Sequence, residues 1–202
     1  MVALPSMKSM TGSISLACHP RTPSRAIRAI DVVVGGTADG ILTLAFALAG
    51  DLSAVRIPET RPSRRGDGLW RHTCFEAFVM AGEGPGYREF NFSPSGEWAV
   101  YAFRGYRDGG EPAGESEPGI AVRRTGNRLA LEAAIRPQSL PTGGALRLGL
   151  SAVVEEADGV PSYWALRHPA GPPDFHPADA FALPLVLASI FDSNTRSGGL
   201  GP

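Results

Sequence analysis

The chain has 202 residues, of which 43% are hydrophobic, and this length suits one large β domain. Its formal net charge is −1 at pH 7 and its pI is about 6.4, so it lacks the positive excess typical of proteins that bind nucleic acid or anionic membranes. These values favour a small-molecule ligand and exclude nucleic-acid and membrane partners from our expectations.

The two ends of the chain differ from the rest. We expect the polar or glycine-rich segments 1–11 and 191–202 to be flexible. The first has no apolar run long enough for a signal peptide, and no segment reaches the length of a membrane span, so we expect a cytoplasmic protein. The two cysteines, Cys18 and Cys74, favour free thiols in a reducing compartment, and the sequence leaves one disulfide between them open.

Short runs of alternating apolar residues, separated by glycine- and proline-rich turns, recur along the chain and predict β-strands. Strands are expected at 13–19, 27–34, 41–48, 55–57, 73–80, 87–92, 97–103, 120–124, 129–135, 146–155, 160–166 and 181–187. Segments 58–68, 107–119 and 167–179 are predicted loops, and helical periodicity is nearly absent. The pattern predicts an all-β fold, a single antiparallel β-sandwich of immunoglobulin-like or jelly-roll-like type over residues 12–190.

The stretch 69–106 is the most informative, because it predicts a three-stranded meander rich in aromatic residues. Within it, Glu76, Glu89 and Asn91 share a strand face with large apolar side chains such as Phe78. A buried carboxylate must find a donor or open onto a cleft. Two interpretations stay open: a structural Glu and Asn with satisfied hydrogen bonds, or a polar and aromatic face that binds a small ligand.

The proline-rich segment 167–179 carries two of the four histidines. His168, Asp174 and His176 could ligate a divalent metal if His72, Cys74 or Glu76 completed the set, although their spacing matches no compact zinc motif. The alternative is that they hydrogen-bond the backbone of the loop. A hydrolase that uses Glu76 with Glu89 or Asp174 is a further alternative.

Three aromatic side chains, Trp70, Tyr106 and Trp164, stand at predicted strand ends beside loops. Aromatic faces stack on the apolar face of a sugar ring, while amide, guanidinium, carboxylate and imidazole groups bond its hydroxyls. The polar side chains suited to that role are Asn91, Arg107, His72 and His168. The alternative is that the three rings belong to the core.

Several spaced motifs resemble the bacterial DOMON-like proteins. They lie at Gly50–Pro58, Leu69–Phe78, Tyr87–Pro94, Trp98–Phe103, Tyr106–Arg107, Trp164–Pro169 and Asp174–Phe181. The resemblance extends from Ile14 to Leu187. It implies a β-sandwich of the DOMON and family-nine carbohydrate-binding-module type, a superfamily that binds sugars or haem on the concave face of the sandwich.

The sequence departs from that pattern at two places. Arg71, His72 and Thr73 stand where family-nine modules carry acidic residues, some of which serve calcium. Met80 lies on the kind of strand that supplies a haem ligand in DOMON domains, but no histidine lies on a clear partner strand. Glu76 and Asn91 match the polar strand positions of the family.

Together these features predict a non-catalytic module that binds a carbohydrate or a similar polar small molecule on the concave sheet face, without a cofactor. The expected ligand-binding residues are Trp70, His72, Glu76, Asn91, Tyr106, Arg107, Trp164, His168 and His176. A haem-binding or redox domain and a hydrolase using Glu76 with His168 and His176 remain alternatives, as does a protein-interaction domain that uses the sheet face.

Overall fold

The computed structural model describes residues 8–9, 12–82, 84–113 and 116–185. Within these ranges the regular structure is strands and short 3-10 turns, with no α-helix. The strands are β1 (Lys8–Ser9), β2 (Ile14–Ser15), β3 (Ala17–Cys18), β4 (Ile27–Gly36), β5 (Leu42–Gly50), β6 (Cys74–Ala81), β7 (Tyr87–Phe92), β8 (Trp98–Gly105), β9 (Asp108–Pro112), β10 (Gly119–Thr125), β11 (Arg128–Ile135), β12 (Leu146–Glu155), β13 (Pro161–Ala165) and β14 (Leu183–Leu185). The 3-10 turns are Leu52–Ala54, Leu69–Arg71, Pro137–Ser139 and Ala178–Ala180.

The strands form two antiparallel sheets. Sheet 1 has the order β1-β4-β5-β11-β10, with β2 also paired to β4. Sheet 2 has the order β3-β13-β12-β6-β7-β8-β9, with β14 also paired to β12. The two sheets pack face to face, which confirms the predicted all-β antiparallel sandwich.

One apolar core fills the space between the sheets. Phe46 of sheet 1 meets Phe75 of sheet 2 with ring centroids 5.0 Å apart, and both rings are buried. Because side chains alternate along a strand, Phe75, Ala77 and Val79 face this core while Glu76 and Phe78 face away from it. The polar residues of the meander therefore lie on the outer face of sheet 2.

Several predicted elements need correction. The single strand expected at 13–19 is two short strands, because the chain crosses from sheet 1 at Ile14–Ser15 to sheet 2 at Ala17–Cys18. The strand expected at 55–57 is reduced to one bridge between Val55 and Glu156. Within the predicted loop 107–119, Asp108–Pro112 forms the edge strand β9.

Glycine makes β9 possible, and an edge position tolerates its proline. Gly109 has φ of +120°, and a Cβ there would lie 2.8 Å from the Ala102 carbonyl oxygen. The glycine and proline content that predicted a loop thus permits an irregular edge strand.

The expectation of flexible ends at 1–11 and 191–202 falls on residues outside the described ranges, except at Lys8–Ser9, which pair with Gly35–Gly36 in β4. Cys18 and Cys74 are free thiols, as expected. Among the residues that the structure describes, none belongs to a helix long and apolar enough to cross a membrane.

Candidate functional site

A cavity of about 580 Å³ opens on the outer face of sheet 2. Strands β6, β7, β8, β12 and β13 form one side of it, and segment 167–182, which we name the cover loop, forms the other. Its lining combines aromatic and charged side chains: Trp70, Glu76, Phe78, Glu89, Tyr101, Phe103, Arg107, Tyr163, Asp174, Phe175 and His176, with Thr22, Gly110, Val153 and Pro173. This volume falls within the range typical of small-molecule sites.

Glu76 lies on the central strand β6 and is 2% exposed. Its Oε2 accepts a hydrogen bond of 2.9 Å from the Ser151 hydroxyl on the neighbouring strand β12. Burial and the adjacent charge of Glu89 raise the pKa of Glu76 to about 8. The carboxyl group is therefore mostly protonated at neutral pH when the cavity holds no cation.

Glu89 lies on β7, next to β6, and is 6% exposed. The Asn91 side-chain amide donates a 2.7 Å hydrogen bond to Glu89 Oε1, and Asn91 itself is fully buried. Burial raises the pKa of Glu89, while the Asn91 hydrogen bond and the charge of Arg107 oppose that shift. Asn91 therefore orients a cavity-lining carboxylate from behind and does not line the cavity itself.

His176 is the point where the cover loop meets the sheet. Its Nδ1 lies 2.7 Å from the Tyr87 hydroxyl, which also accepts a 3.3 Å hydrogen bond from the Arg107 backbone N–H. Burial lowers the pKa of His176 to about 4, and burial raises the pKa of Tyr87 to about 12. The imidazole is thus neutral and accepts the tyrosine proton at Nδ1, so Nε2 carries the hydrogen and lies 3.9 Å from Glu89 Oε2.

The mouth of the cavity carries an ion pair. Arg107 Nη2 lies 2.9 Å from Asp174 Oδ1, and the Tyr106 hydroxyl donates a 2.6 Å hydrogen bond to Asp174 Oδ2. Burial opposes ionisation of Asp174, but these bonds and the His176 backbone N–H lower its pKa overall. Tyr106 is exposed and holds Asp174 without lining the cavity.

A second apolar cluster anchors the cover loop. Phe181 stacks on Phe78 with ring centroids 5.7 Å apart and an interplanar angle of 15°. Phe175 contacts the same ring at 6.5 Å, and Tyr87 and Met80 complete the cluster. Gly149 lies opposite Phe78 and leaves the space that the Phe181 ring occupies, since a Cβ there would lie 2.7 Å from Phe181 Cδ1.

The two tryptophans expected to stack on a ligand have different positions. Trp70 belongs to the Leu69–Arg71 turn, is 47% exposed and lines the cavity, with the Arg71 guanidinium 5.1 Å from its ring centroid. Trp164 is 5% exposed and packs in the core between the sheets, where its Nε1 donates to the Ser162 hydroxyl. The assignment of Trp164 as a ligand-stacking residue is corrected to a core residue, because its strand parity points it inward.

Two predicted histidines also lie away from the cavity lining. His72 Nδ1 lies 2.8 Å from Glu155 Oε2, at the end of β12. His168 Nε2 lies 2.8 Å from the Ala17 carbonyl oxygen, and its ring packs edge-on against His19. Neither histidine lines the cavity.

The structure also places the residues of the alternative metal, haem and hydrolase sites. Asp174 and His176 point to Arg107 and Tyr87, so the metal cluster considered with His168 is not assembled, and no group of three metal-ligating side chains occurs in the described ranges. Met80 packs in the second cluster and does not line the cavity, so it is not positioned to ligate a haem there. Of the hydrolase set, Glu76 and His176 share the cavity and His168 does not.

Of the nine predicted residues, the structure brings four to the cavity: Trp70, Glu76, Arg107 and His176. Sequence reasoning omitted Glu89, Tyr101, Phe103, Tyr163, Asp174 and Phe175 from the binding set. Glu89 lies on the same face of sheet 2 as Glu76, and Tyr101 lies on the same face of β8 as Phe103. The alternation of side chains along these strands could therefore have identified Glu89, Tyr101 and Phe103. Glu89 and Tyr101 are also direct partners across β7 and β8, so they lie side by side on that face.

Known proteins resemble this chain in fold. No protein-family model matches the sequence, and no curated protein matches it. A solved structure described as a putative carbohydrate-binding protein from Bacteroides uniformis is similar with a TM-score of 0.63 and 13% identity, over 82% of each chain. A family-nine carbohydrate-binding module from Caldicellulosiruptor kristjanssonii, solved with cellotriose, gives a TM-score of 0.46 and 8% identity, over 84% of this chain and 83% of that one. The first likeness shows a shared sandwich fold.

Proposed function

We propose that this protein is a binding module for a carbohydrate or a similar polar, ring-containing small molecule, held in the cavity on the outer face of sheet 2. The observation that carries the proposal is the lining of that cavity, where aromatic rings and hydrogen-bonding side chains face one space of about 580 Å³. That space accommodates a few sugar rings, and its polar groups could fix their orientation.

The arrangement suits a sugar because the lining offers both kinds of contact, ring faces for stacking and polar groups for hydrogen bonds. Trp70 at the mouth is exposed and offers a ring face for stacking. Arg107 and Asp174 at the mouth, and Glu76 and Glu89 at the closed end, offer donors and acceptors for hydroxyl groups. The solved protein of similar fold from Bacteroides uniformis is itself described as a putative carbohydrate-binding protein, which agrees with the proposal.

A calorimetric titration of the full chain with mono- and oligosaccharides tests the proposal. We expect saturable binding by at least one saccharide, with loss of about 1 kcal/mol or more of binding free energy in Trp70→Ala. The matched control is Val160→Ala, which truncates another exposed apolar side chain that does not line the cavity. Equal loss of binding in both variants, or no binding by any saccharide, would contradict the proposal.

The same samples should be analysed for released sugar. Glu76 and Glu89 carry the carboxyl groups that a glycoside hydrolase requires, so the titration alone does not separate binding from turnover. We expect the bound saccharide to be recovered intact. Release of a shorter saccharide that stops in Glu76→Gln would assign an enzyme instead of a binding module.

A further inference from the structure

The acidic side chains at the closed end of the cavity outnumber the cations that line it. Arg107 and Asp174 neutralise one another at the mouth through their 2.9 Å contact. His176 is neutral, with its Nε2 3.9 Å from Glu89, too far for a hydrogen bond. Among the lining residues that the structure describes, Glu76 and Glu89 therefore lack a close ion-pair partner, although the charge of Arg107 also acts on Glu89.

Glu76 is also short of hydrogen-bond partners. Within the described ranges the Ser151 hydroxyl is the one donor that reaches its carboxyl group, and the bond is to Oε2. Oε1 is left to the cavity that Glu76 lines. Glu76 is nevertheless only 2% exposed. A buried carboxyl oxygen that faces an open cavity is expected to bind a donor from a ligand.

Aromatic rings surround this acidic end. Tyr101 and Phe103 on β8, Tyr163 on β13 and Phe175 on the cover loop line the same cavity. An ammonium group is attracted both by carboxylates and by the faces of aromatic rings, and the second attraction grows as water is excluded. A neutral hydroxyl can donate a hydrogen bond to a carboxylate, but it lacks the positive charge that the ring faces attract.

We propose that the ligand is an amino sugar, whose protonated amine binds at Glu76 and Glu89 while its ring stacks on the aromatic wall. This inference rests on the proposed function and adds the charge of the ligand to it. The second acidic group favours an ammonium group over a hydroxyl group, because a cation offsets the repulsion that otherwise disfavours ionisation of both carboxyl groups near neutral pH.

The proposal predicts a proton change on binding. Glu76 faces Glu89 and Ser151 from the neighbouring strands, the Cys74 thiol lies on its own strand, and Arg107, Asp174 and His176 face it across the cavity. Because Glu76 is mostly protonated in the free protein near neutral pH, an arriving ammonium group should displace its proton. At a pH below neutral, where the free amine and Glu76 are both protonated, titration in two buffers of different ionisation enthalpy would measure a release approaching one proton per amine bound.

Three β-1,4-linked trisaccharides isolate the amine, because they differ at carbon 2 alone: those of glucose, N-acetylglucosamine and glucosamine. We expect the glucosamine trisaccharide to bind the full chain at least about tenfold more tightly than the other two near neutral pH. That preference should fall to less than about threefold in Glu76→Gln and in Glu89→Gln. Glu132→Gln is the matched control, since Glu132 is exposed on sheet 1 and should keep the preference.

The outcomes separate the two proposals. Equal affinity for all three trisaccharides would overturn the amino-sugar inference and leave the carbohydrate module standing. A preference that persists in both glutamine variants would also overturn it, because the amine would then be recognised elsewhere. No binding by any of the three or by other saccharides would remove both proposals. Thermal unfolding of each variant confirms that it is folded.

Discussion

The Tyr87 hydroxyl and His176 Nδ1 lie 2.7 Å apart, and this hydrogen bond joins the cover loop to the centre of sheet 2. The same hydroxyl accepts the Arg107 backbone N–H, so one tyrosine oxygen connects β7, the turn after β8 and the loop. Three separate segments around the cavity therefore meet at a single polar atom.

Tyr87→Phe should destabilise the protein by about 1–3 kcal/mol, because it leaves His176 Nδ1 and the Arg107 N–H without partners in a partly buried place. Urea unfolding measures the change. Tyr101→Phe is the control, since its hydroxyl bonds Asp67 in an exposed setting and should contribute less than about 1 kcal/mol. Equal effects of the two substitutions would argue against a structural role for the Tyr87 hydrogen bond.

The tryptophans should separate into two classes. Trp164→Ala creates a cavity in the core and should cost about 3–5 kcal/mol. Trp70→Ala removes a half-exposed ring at the mouth and should change stability by less than about 1 kcal/mol. Chemical denaturation checks both, and similar losses in the two variants would place Trp70 in the core as well.

Gly149→Ala should loosen the cover loop. The new Cβ would lie 2.7 Å from Phe181 Cδ1 and 3.4 Å from Phe78 Cβ, so the Phe181 ring must leave its stacked position. We expect a loss of about 1–3 kcal/mol and faster proteolysis within 167–182. Gly84→Ala, where a Cβ meets nothing within 4 Å, is the control and should leave the proteolysis rate unchanged. If both variants are cleaved as slowly as the wild type, the order of the cover loop does not depend on the stacked position of Phe181.

The pH dependence of stability should reveal the raised pKa of Glu76. Its pKa rises from 4.5 in the unfolded chain to about 8 in the folded protein, so the folded state holds the extra proton between these values. This contribution is fully present below 4.5 and is lost as pH rises through about 8, at up to about 1.4 kcal/mol per pH unit.

The contribution of His176 to stability changes with pH in the opposite direction, and it does so over a lower pH range. Its pKa falls from 6.5 to about 4, so its contribution is present above 6.5 and is lost as pH falls through about 4. Between 6.5 and about 8 the slope therefore belongs mainly to Glu76. Melting temperatures measured across that window should decrease with rising pH in the wild type and decrease less steeply in Glu76→Gln. An identical slope in both proteins would contradict the protonated state of Glu76.

Much of the fold followed from strand periodicity. The bounds of β7 and β12 match their predictions because both runs alternate cleanly and end at turn-forming residues. The edge strand β9 could not be predicted, since its glycines and proline are typical of loops. Its pairing depends on contacts with β8 that the local sequence does not encode.

The site was harder to predict than the fold. Alternation placed Glu76, Glu89 and Phe78 on one face, but it could not say whether that face met the core or a cavity. The answer depends on the cover loop, whose His176 lies 89 residues further along the chain than its partner Tyr87. Trp164 shows the reverse error, because an aromatic residue beside a loop was assigned outward although its strand parity turned it inward.

The most direct test of the central claim is a nitrogen-15 NMR titration that follows the three tryptophan indole N–H signals as a saccharide is added. Trp70 lines the cavity, whereas Trp98 and Trp164 pack in the core. If the cavity binds the saccharide, the Trp70 signal shifts saturably, while the Trp98 and Trp164 signals stay in place. A saturable shift at Trp98 or Trp164 with none at Trp70 would place the binding site elsewhere on the protein, and three unchanged signals across the saccharide panel would contradict carbohydrate binding in this cavity.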